Sequence, residues 1–311
     1  MLLHPDALDR AAKLRERFAS AQPFRHVVVE RFLSEQFCLE LMRHFPSFDP
    51  AHAMNERGEP GRKSAIPDLA RLGGPFAEFD ALIRSRPFLE WIGGVTGIPK
   101  LLYDPEYVGG GTHENLNGQD LDSHVDFNYH PSRHWHRRLN LIVFLNPYWK
   151  ESWGGCLELL RDPWTSSGAR PSQLVVPLAN RAVIFETNER SWHGFRRIQL
   201  PPDAEGLSRR SIAVYFYTRE RPAGETAPSH ATHYVQAPLS NRIQPGYTLS
   251  DEDVEELRVL IKRRDAQIKF LYDREMEFSS LIAALVRSPS FRIGQVLTWP
   301  ARAARKLLRR H

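Results

Sequence analysis

Cysteine is nearly missing from this chain: Cys38 and Cys156 are the two thiols in 311 residues. Two cysteines cannot build a disulfide framework, and they fit a reducing compartment. Long apolar runs are missing too. The opening stretch, MLLHPDALDRAAKLRERF, holds none long enough for a signal peptide or a membrane span, so the expected location is cytoplasmic. No repeat period stands out, which sets solenoid architectures aside. Acidic residues are absent from Phe278 to His311, where Arg287, Arg292, Arg302, Arg305, Lys306, Arg309 and Arg310 give seven positive charges. The formal +5 therefore belongs to the tail: without residues 287–311, 35 basic side chains face 37 acidic ones, a net of −2. A nearly neutral body is not expected to bind nucleic acid.

What is present suits a folded body. Hydrophobic residues at 41% and aromatics at 11% can fill a sizeable core, in one large domain or a domain with an appendage. Residues 4–20 read as a short amphipathic helix that ends at Ala21-Gln22-Pro23. Residues 24–32 read as an extended lead into a helix over 34–43, with Ser34 as N-cap. After a loose stretch at 50–75, residues 76–92 read as a helix with a break or kink at Pro87. From Leu101, short β-branched and aromatic segments take over, at 101–108, 120–128, 138–146, 156–161, 173–178, 181–187 and 209–218. The gaps between them are too short for crossover helices. This favours a mainly β, double-sheet fold buttressed by helices over a doubly wound α/β sheet. Residues 1–100 form the helical lead-in, 101–220 the β body, and 221–250, rich in Pro, Ser, Thr and Ala, a linker.

Beyond the linker, Val254, Leu257, Ile261, Ile268, Leu271, Phe278, Ile282 and Leu285 fall on heptad a/d positions, interrupted by Arg264 and Glu275. Ser250-Asp251-Glu252-Asp253 provides a capped, acidic start. The 251–287 helix has two readings: a homodimeric coiled coil, or a single helix packing back on the body.

The chemistry centres on His124-Val125-Asp126. On a strand, residues two apart share a face, so His124 and Asp126 point the same way. A His-x-Asp pair is expected by chance about 0.6 times in a chain with this many His and Asp, so the pair alone says little. A decoy occurs at His4-Pro5-Asp6, where the proline suits a helix start. A second imidazole from His193 would complete a face of two histidines and one carboxylate with positions left open, the arrangement of non-haem Fe(II) oxygenases. Arg209 and Ser211 share one face of the strand 209–217. A buried arginine there needs an anion, and a carboxylate held by its planar fork would supply one. The further group His113, Glu114, His130, His134 and His136 flanks strands at the rim, and its solvated reading outweighs a second metal.

Residues 100–220 resemble the iron- and 2-oxoglutarate-dependent oxygenases, in particular the prolyl 4-hydroxylase-like branch. The resemblance lies in Gly109-Gly110-Gly111, His124-x-Asp126, Leu139 to Asn146, Trp153-Gly154-Gly155-Cys156-Leu157-Glu158-Leu159, Ser191-Trp192-His193-Gly194 and Arg209-x-Ser211, in that order. The lead-in 24–45 is similar as well. The resemblance implies a double-stranded β-helix (jelly-roll) core with Fe(II) held by His124, Asp126 and His193. It implies 2-oxoglutarate chelating the iron with its far carboxylate on Arg209, O₂ as co-reactant, and release of succinate and CO₂ as a substrate is hydroxylated. It also allows ascorbate as reductant. Tyr107 matches a tyrosine that contacts the cosubstrate. Phe144 stands where many relatives carry a tyrosine, with Asn140 or Ser211 to compensate. His113, Asn128 and Trp192 are placed at the substrate rim.

The resemblance suggests a peptidyl or free amino acid as substrate. The basic amphipathic tail, 288–311, mixes Phe291, Ile293, Val296, Leu297, Trp299, Leu307 and Leu308 with its arginines. It suits the anionic inner face of a membrane. Its Ser-x-Ser-aromatic-Arg stretch looks like the C-terminal segments of bacterial envelope polysaccharide enzymes, which points instead to a sugar or lipid-linked glycan. A non-catalytic jelly-roll scaffold is the reading from another class; it has no need of all four residues His124, Asp126, His193 and Arg209.

Overall fold

The computed structural model describes residues 2–53, 63–165, 171–236, 239 and 243–308, without the side chains of Glu252 and of residues 299–308. They fall into two units, Met1–Val235 and Gln236–His311.

The first unit opens with α1 (Pro5–Asp9) and α2 (Ala11–Ser20), a helix pair where one was expected. His4 caps α1, its Nδ1 accepting from the Asp6 amide at 3.1 Å, so the decoy motif is a helix start. β1 (His26–Glu30) leads to α3 (Glu35–Arg43), whose Ser34 hydroxyl accepts from the Phe37 amide as the sequence predicts. Next come β2 (Lys63–Ile66), α4 (Leu69–Leu72), α5 (Gly74–Arg84) and α6 (Arg86–Thr96). The expected 76–92 helix is split at Ser85, which caps α6. Pro87 sits in the first turn of the new helix, where a missing N–H breaks no bond.

The β body follows as β3 (Leu102–Tyr103), β4 (Gly111–Asn115), β5 (Leu121–Val125), β6 (His136–Phe144), β7 (Leu157–Leu160) and β8 (Gln173–Val175). β9 (Arg181–Glu186), β10 (Trp192–Phe195), β11 (Arg209–Thr218) and β12 (His233–Val235) complete it. One antiparallel sheet runs β1-β9-β6-β11-β4-β2, with β3 also on β11; the second runs β12-β5-β10-β7-β8. This is the jelly-roll expected from the resemblance. β12 lies inside the segment read as a linker, and pairs Tyr234 with His124. Residues 221–235 therefore belong to the body.

β6 shows why the layers form. Leu139, Leu141 and Val143 face the helices and join Phe32, Phe76, Phe79, Phe88 and Ile92 in one core. Phe144, one register step away, packs with Leu157, Leu159, Val183 and Phe185 in a second cluster. A strand covered on both sides reads as the near-continuous apolar run seen here.

In the second unit, α7 (Asp251–Arg287) starts with a capping box between Ser250 and Asp253, as its sequence predicts. Its heptad residues Ile261, Ile268, Leu271, Phe278, Ile282 and Leu285 are each half exposed or more. α8 (Pro289–Leu308) follows. Ile293, Val296 and Leu297 are exposed on it, while the tail's Trp299 and the side chains from 300 onward lie outside the described set. Among the described residues, no helix is long and apolar enough to cross a membrane.

Candidate metal centre

β5 and β10 are neighbours, and their register sets His193 directly opposite His124. The two rings lie 4.2 Å apart. Gly194 makes this approach possible: a Cβ there would stand 2.6 Å from the Leu121 carbonyl oxygen, so the glycine of the Trp-His-Gly run is a steric requirement. Asp126 lies one residue past the end of β5. It meets the pair from the side, with Oδ1 3.8 Å from His124 Nε2 and Oδ2 3.6 Å from His193 Nε2. Among the described residues, these three form the one His/Cys/Asp/Glu group whose ligand atoms could share a metal ion.

The donor set fits a divalent metal. Each histidine has its Nδ1 2.9 Å from a backbone carbonyl, Asp122 for His124 and Ser191 for His193, which fixes the rings and aims both Nε2 atoms at Asp126. Separations of 3.6 and 3.8 Å are too long for hydrogen bonds, so the three side chains do not satisfy one another. Burial, reinforced by His193, pushes the His124 imidazole down to about 3. Burial lowers His193 as well. Burial pushes the Asp126 carboxyl upward, but Arg137, His193, His124 and Asn140 together hold it well below the usual carboxylate range. Two neutral imidazoles and one carboxylate are the protonation state a metal requires.

Arg137, which sequence reasoning missed, braces the carboxylate. Its Nη2 lies 3.1 Å from Asp126 Oδ2, its guanidinium stacks 3.6 Å over Tyr215 and 4.5 Å over Phe127, and it donates to Asn140 Oδ1. Asn140 in turn donates to Asp126 Oδ2 at 2.8 Å. Both donors thus take Oδ2 and leave Oδ1 to a metal. Strict alternation would put Arg137 on the helix side with Leu139. A bulge at this point of the β6–β11 ladder, where Phe216 pairs Leu139 but Tyr217 pairs Arg137, turns it inward.

Arg209 is fully enclosed. Its guanidinium lies 4.4 Å from the Phe195 ring and 5.1 Å from Phe144, and Nε donates to the Gly155 carbonyl at 2.6 Å. Among the described residues no carboxylate pairs with it, and burial pulls it down to about 10. The Trp153-Gly154-Gly155 turn presents that carbonyl. Gly154 has φ +70° and a Cβ there would sit 2.0 Å from the Arg197 carbonyl oxygen, so no other residue keeps the turn. Ser211 is buried on the same strand face, paired with Phe144 on one side and His113 on the other.

Four expectations are corrected by the fold, and a fifth is moved. Tyr107 lies on the helix side, in the core cluster with its hydroxyl donating to Asp80 at 2.8 Å, and has a positive φ of 49°. Asn140, expected to compensate at the cosubstrate, has its side chain engaged by Asp126 and Arg137. Asn128 spends its side chain on the Pro228 carbonyl and the His230 amide, pinning that loop. Trp192, next to His193, points to the opposite face of its sheet, where it packs with Val125, Leu160 and Val235. His113 is inside, opposite Ser211, and not at a rim. The rest of the proposed rim cluster is dispersed: Glu114 bonds Arg210 and Ser208, and His130 bonds Asp104. Tyr234 was also missed. It stacks on His124 at 5.1 Å from the segment read as linker.

Two facing antiparallel sheets with a buried two-histidine, one-carboxylate face are the arrangement of a non-haem iron oxygenase. Residues 111–217 match the family model of the 2OG-Fe(II) oxygenase superfamily. That matched segment, a 2OG-Fe(II) oxygenase domain by its family model, holds His124, Asp126, His193 and Arg209. No curated protein matches it in sequence. Among solved structures it is similar to the Trichoplax adhaerens prolyl hydroxylase in complex with a hypoxia inducible factor oxygen degradation domain peptide fragment. That match has 13% identity, covers 68% of this chain and 90% of that one, and gives a TM-score of 0.46. A Pseudomonas putida prolyl-4-hydroxylase matches at 15% identity, 68% and 100% coverage and a TM-score of 0.43. HygX from Streptomyces hygroscopicus, with nickel and 2-oxoglutarate bound, matches at 15% identity, 68% and 93% coverage and 0.45.

Proposed function

We propose that His124, Asp126 and His193 hold the iron, that Arg209 anchors the far carboxylate of 2-oxoglutarate, and that the enzyme hydroxylates a peptidyl or free amino acid. The observation that carries the site assignment is the pairing of a buried three-ligand face with a buried guanidinium that no described carboxylate neutralises. Bound iron supplies the redox chemistry of the superfamily, in which O₂, 2-oxoglutarate and a C–H bond give succinate, CO₂ and a C–OH group. The chain's own part is geometric. Backbone carbonyls orient both imidazoles, Arg137 and Asn140 hold Asp126 to one free oxygen, and the Phe144 and Phe195 rings beside Arg209 would exclude water around the bound acid.

Asp126→Ala is expected to abolish both Mn(II) binding, followed by electron paramagnetic resonance, and succinate release with Fe(II) and 2-oxoglutarate. Retention of either would refute the ligand assignment. Ascorbate enters as reductant, and omitting it from the same assay checks that role. The amino-acid reading rests on the prolyl 4-hydroxylase-like motifs, and a sugar or lipid-linked glycan is the second reading, favoured by the basic tail. Mass spectrometry of extracts treated with the enzyme separates them by which compound gains an oxygen.

The second unit is assigned to assembly at a membrane surface: α7 pairs with a second copy through its exposed heptad row, and 288–311 lies on anionic lipid. Deleting residues 251–311 is expected to convert a sedimenting dimer to a monomer and to end co-sedimentation with anionic vesicles at low salt. An unchanged mass, or unchanged vesicle binding, would remove the corresponding half of the assignment.

A further inference from the structure

His113 has no role in the site as assigned so far, yet it stands inside it. β4 and β11 are paired so that His113 lies opposite Ser211, and Asn115 opposite Arg209. Residues opposite one another on antiparallel strands project to the same face, so His113, Ser211 and Arg209 share the inner surface of this sheet. On the other side of Ser211 stands Phe144, which offers the site a ring and no hydroxyl.

The His113 imidazole is half satisfied. It is hydrogen-bonded to the Gly109 backbone carbonyl, while Nε2 is buried and has no partner among the described residues. A buried polar nitrogen left unpaired is unfavourable unless a ligand or water completes it. The charges facing it are cations: Lys63 on β2 and Arg209 on β11. Glu114, its acidic neighbour on β4, is one residue away on the alternating strand and bonds Ser208 and Arg210. Burial, aided by those two cations, holds His113 neutral. In the neutral tautomer protonated at Nδ1, Nε2 carries a lone pair.

An arriving carboxylate reverses that balance. It places a negative charge against Arg209 in a dry pocket, cancels the cationic field at His113, and offers an acceptor to an Nε2–H that does not yet exist. We propose that His113 is a second anchor for the distal carboxylate of 2-oxoglutarate, taking a proton from solvent as the acid binds and donating Nε2–H to it. The acid stays a dianion, and the imidazolium shares its far charge with Arg209. The inference rests on the assignment of that carboxylate to Arg209. It explains how a site with Phe144 in place of a hydroxyl keeps two donors on one carboxylate.

Calorimetric titration of 2-oxoglutarate into the Mn(II)-loaded full chain, in buffers of different ionisation heat near about pH 7, reads both affinity and proton uptake. Wild type is expected to take up close to one proton more than His113→Gln, and to bind more weakly as pH rises. His113→Gln is expected to bind about tenfold more weakly, with little pH dependence, while its Mn(II) affinity is unchanged. His113→Phe, which fills the space without a polar atom, should behave the same way. If Arg209→Met loses binding but His113→Gln keeps both affinity and proton uptake, the role of His113 is overturned and that of Arg209 stands. If wild type does not bind the acid, or Arg209→Met binds it normally, both fall together.

Discussion

Arg137→Met is expected to destabilise the metal-free protein by about 3–5 kcal/mol, the usual result of removing one partner from a buried ion pair. Arg137 is 1% exposed and its partner is the Asp126 carboxylate, with Nη2 to Oδ2 at 3.1 Å. Methionine approaches the volume of the arginine stem but leaves Asp126 with Asn140 as its remaining side-chain donor. It also loses the stacking on Tyr215 and Phe127. Metal affinity should fall as well, by about 10–100-fold, because Oδ2 is no longer held away from the metal. The sign of the pH dependence follows from Asp126. Its folded-state carboxyl is held below its ordinary value, so its contribution to stability is present above that ordinary value and is lost as pH falls through the folded one. The gap between wild type and Arg137→Met in urea unfolding should therefore be widest near neutrality and close in acid. A gap that is constant with pH, or within about 0.5 kcal/mol throughout, would show that Arg137 is packing and not an electrostatic brace.

Arg137 also marks where the sequence stops being readable. Alternation along β6 sorts Leu139, Leu141 and Val143 from Phe144 correctly, and along β11 it groups Arg209 with Ser211. It fails at the bulge, where one extra residue between Leu139 and Arg137 reverses the face and brings a charged side chain inward. Asn128 has the same parity as His124 and Asp126, but β5 ends at Val125, so parity no longer decides where its side chain goes. Trp192 could have been excluded, since it adjoins His193 and must face the other way on the same strand. β4 is five residues of Gly, Thr, His, Glu and Asn with no apolar alternation, which is why His113 reads as rim and is found inside. Tyr234 is invisible for a related reason: β12 is three residues long and stabilised by pairing with β5, not by its own composition. The grouping of His124, Asp126 and His193 was legible because motif order does not depend on these local register details.

Arg209→Met tests the opposite case and should have the opposite sign. Arg137 is a buried cation with its anion present, and Arg209 is a buried cation whose anion, on the assignment made above, arrives with the cosubstrate. Among the described residues its hydrogen bond is to a neutral acceptor, the Gly155 carbonyl at 2.6 Å, and its flanks are the Phe144 and Phe195 rings. Burial lowers it to about 10, so the folded chain carries the desolvation of a charge that nothing described neutralises. An apolar side chain of similar length removes that burden, and metal-loaded protein without 2-oxoglutarate should be stabilised by about 1–4 kcal/mol in urea unfolding. Binding of the acid should weaken by roughly thirtyfold or more, the effect of deleting one member of a buried charge pair worth about 2–5 kcal/mol. Thermal denaturation shows both effects at once. Without the acid the variant melts above wild type; with the acid in excess, wild type gains the linkage term RT ln(1 + [L]/Kd) and the variant gains almost none, so their order reverses. A variant that is less stable without the acid, or one that still gains from adding it, would mean that Arg209 has its anion within the protein and that the cosubstrate's carboxylate is held elsewhere.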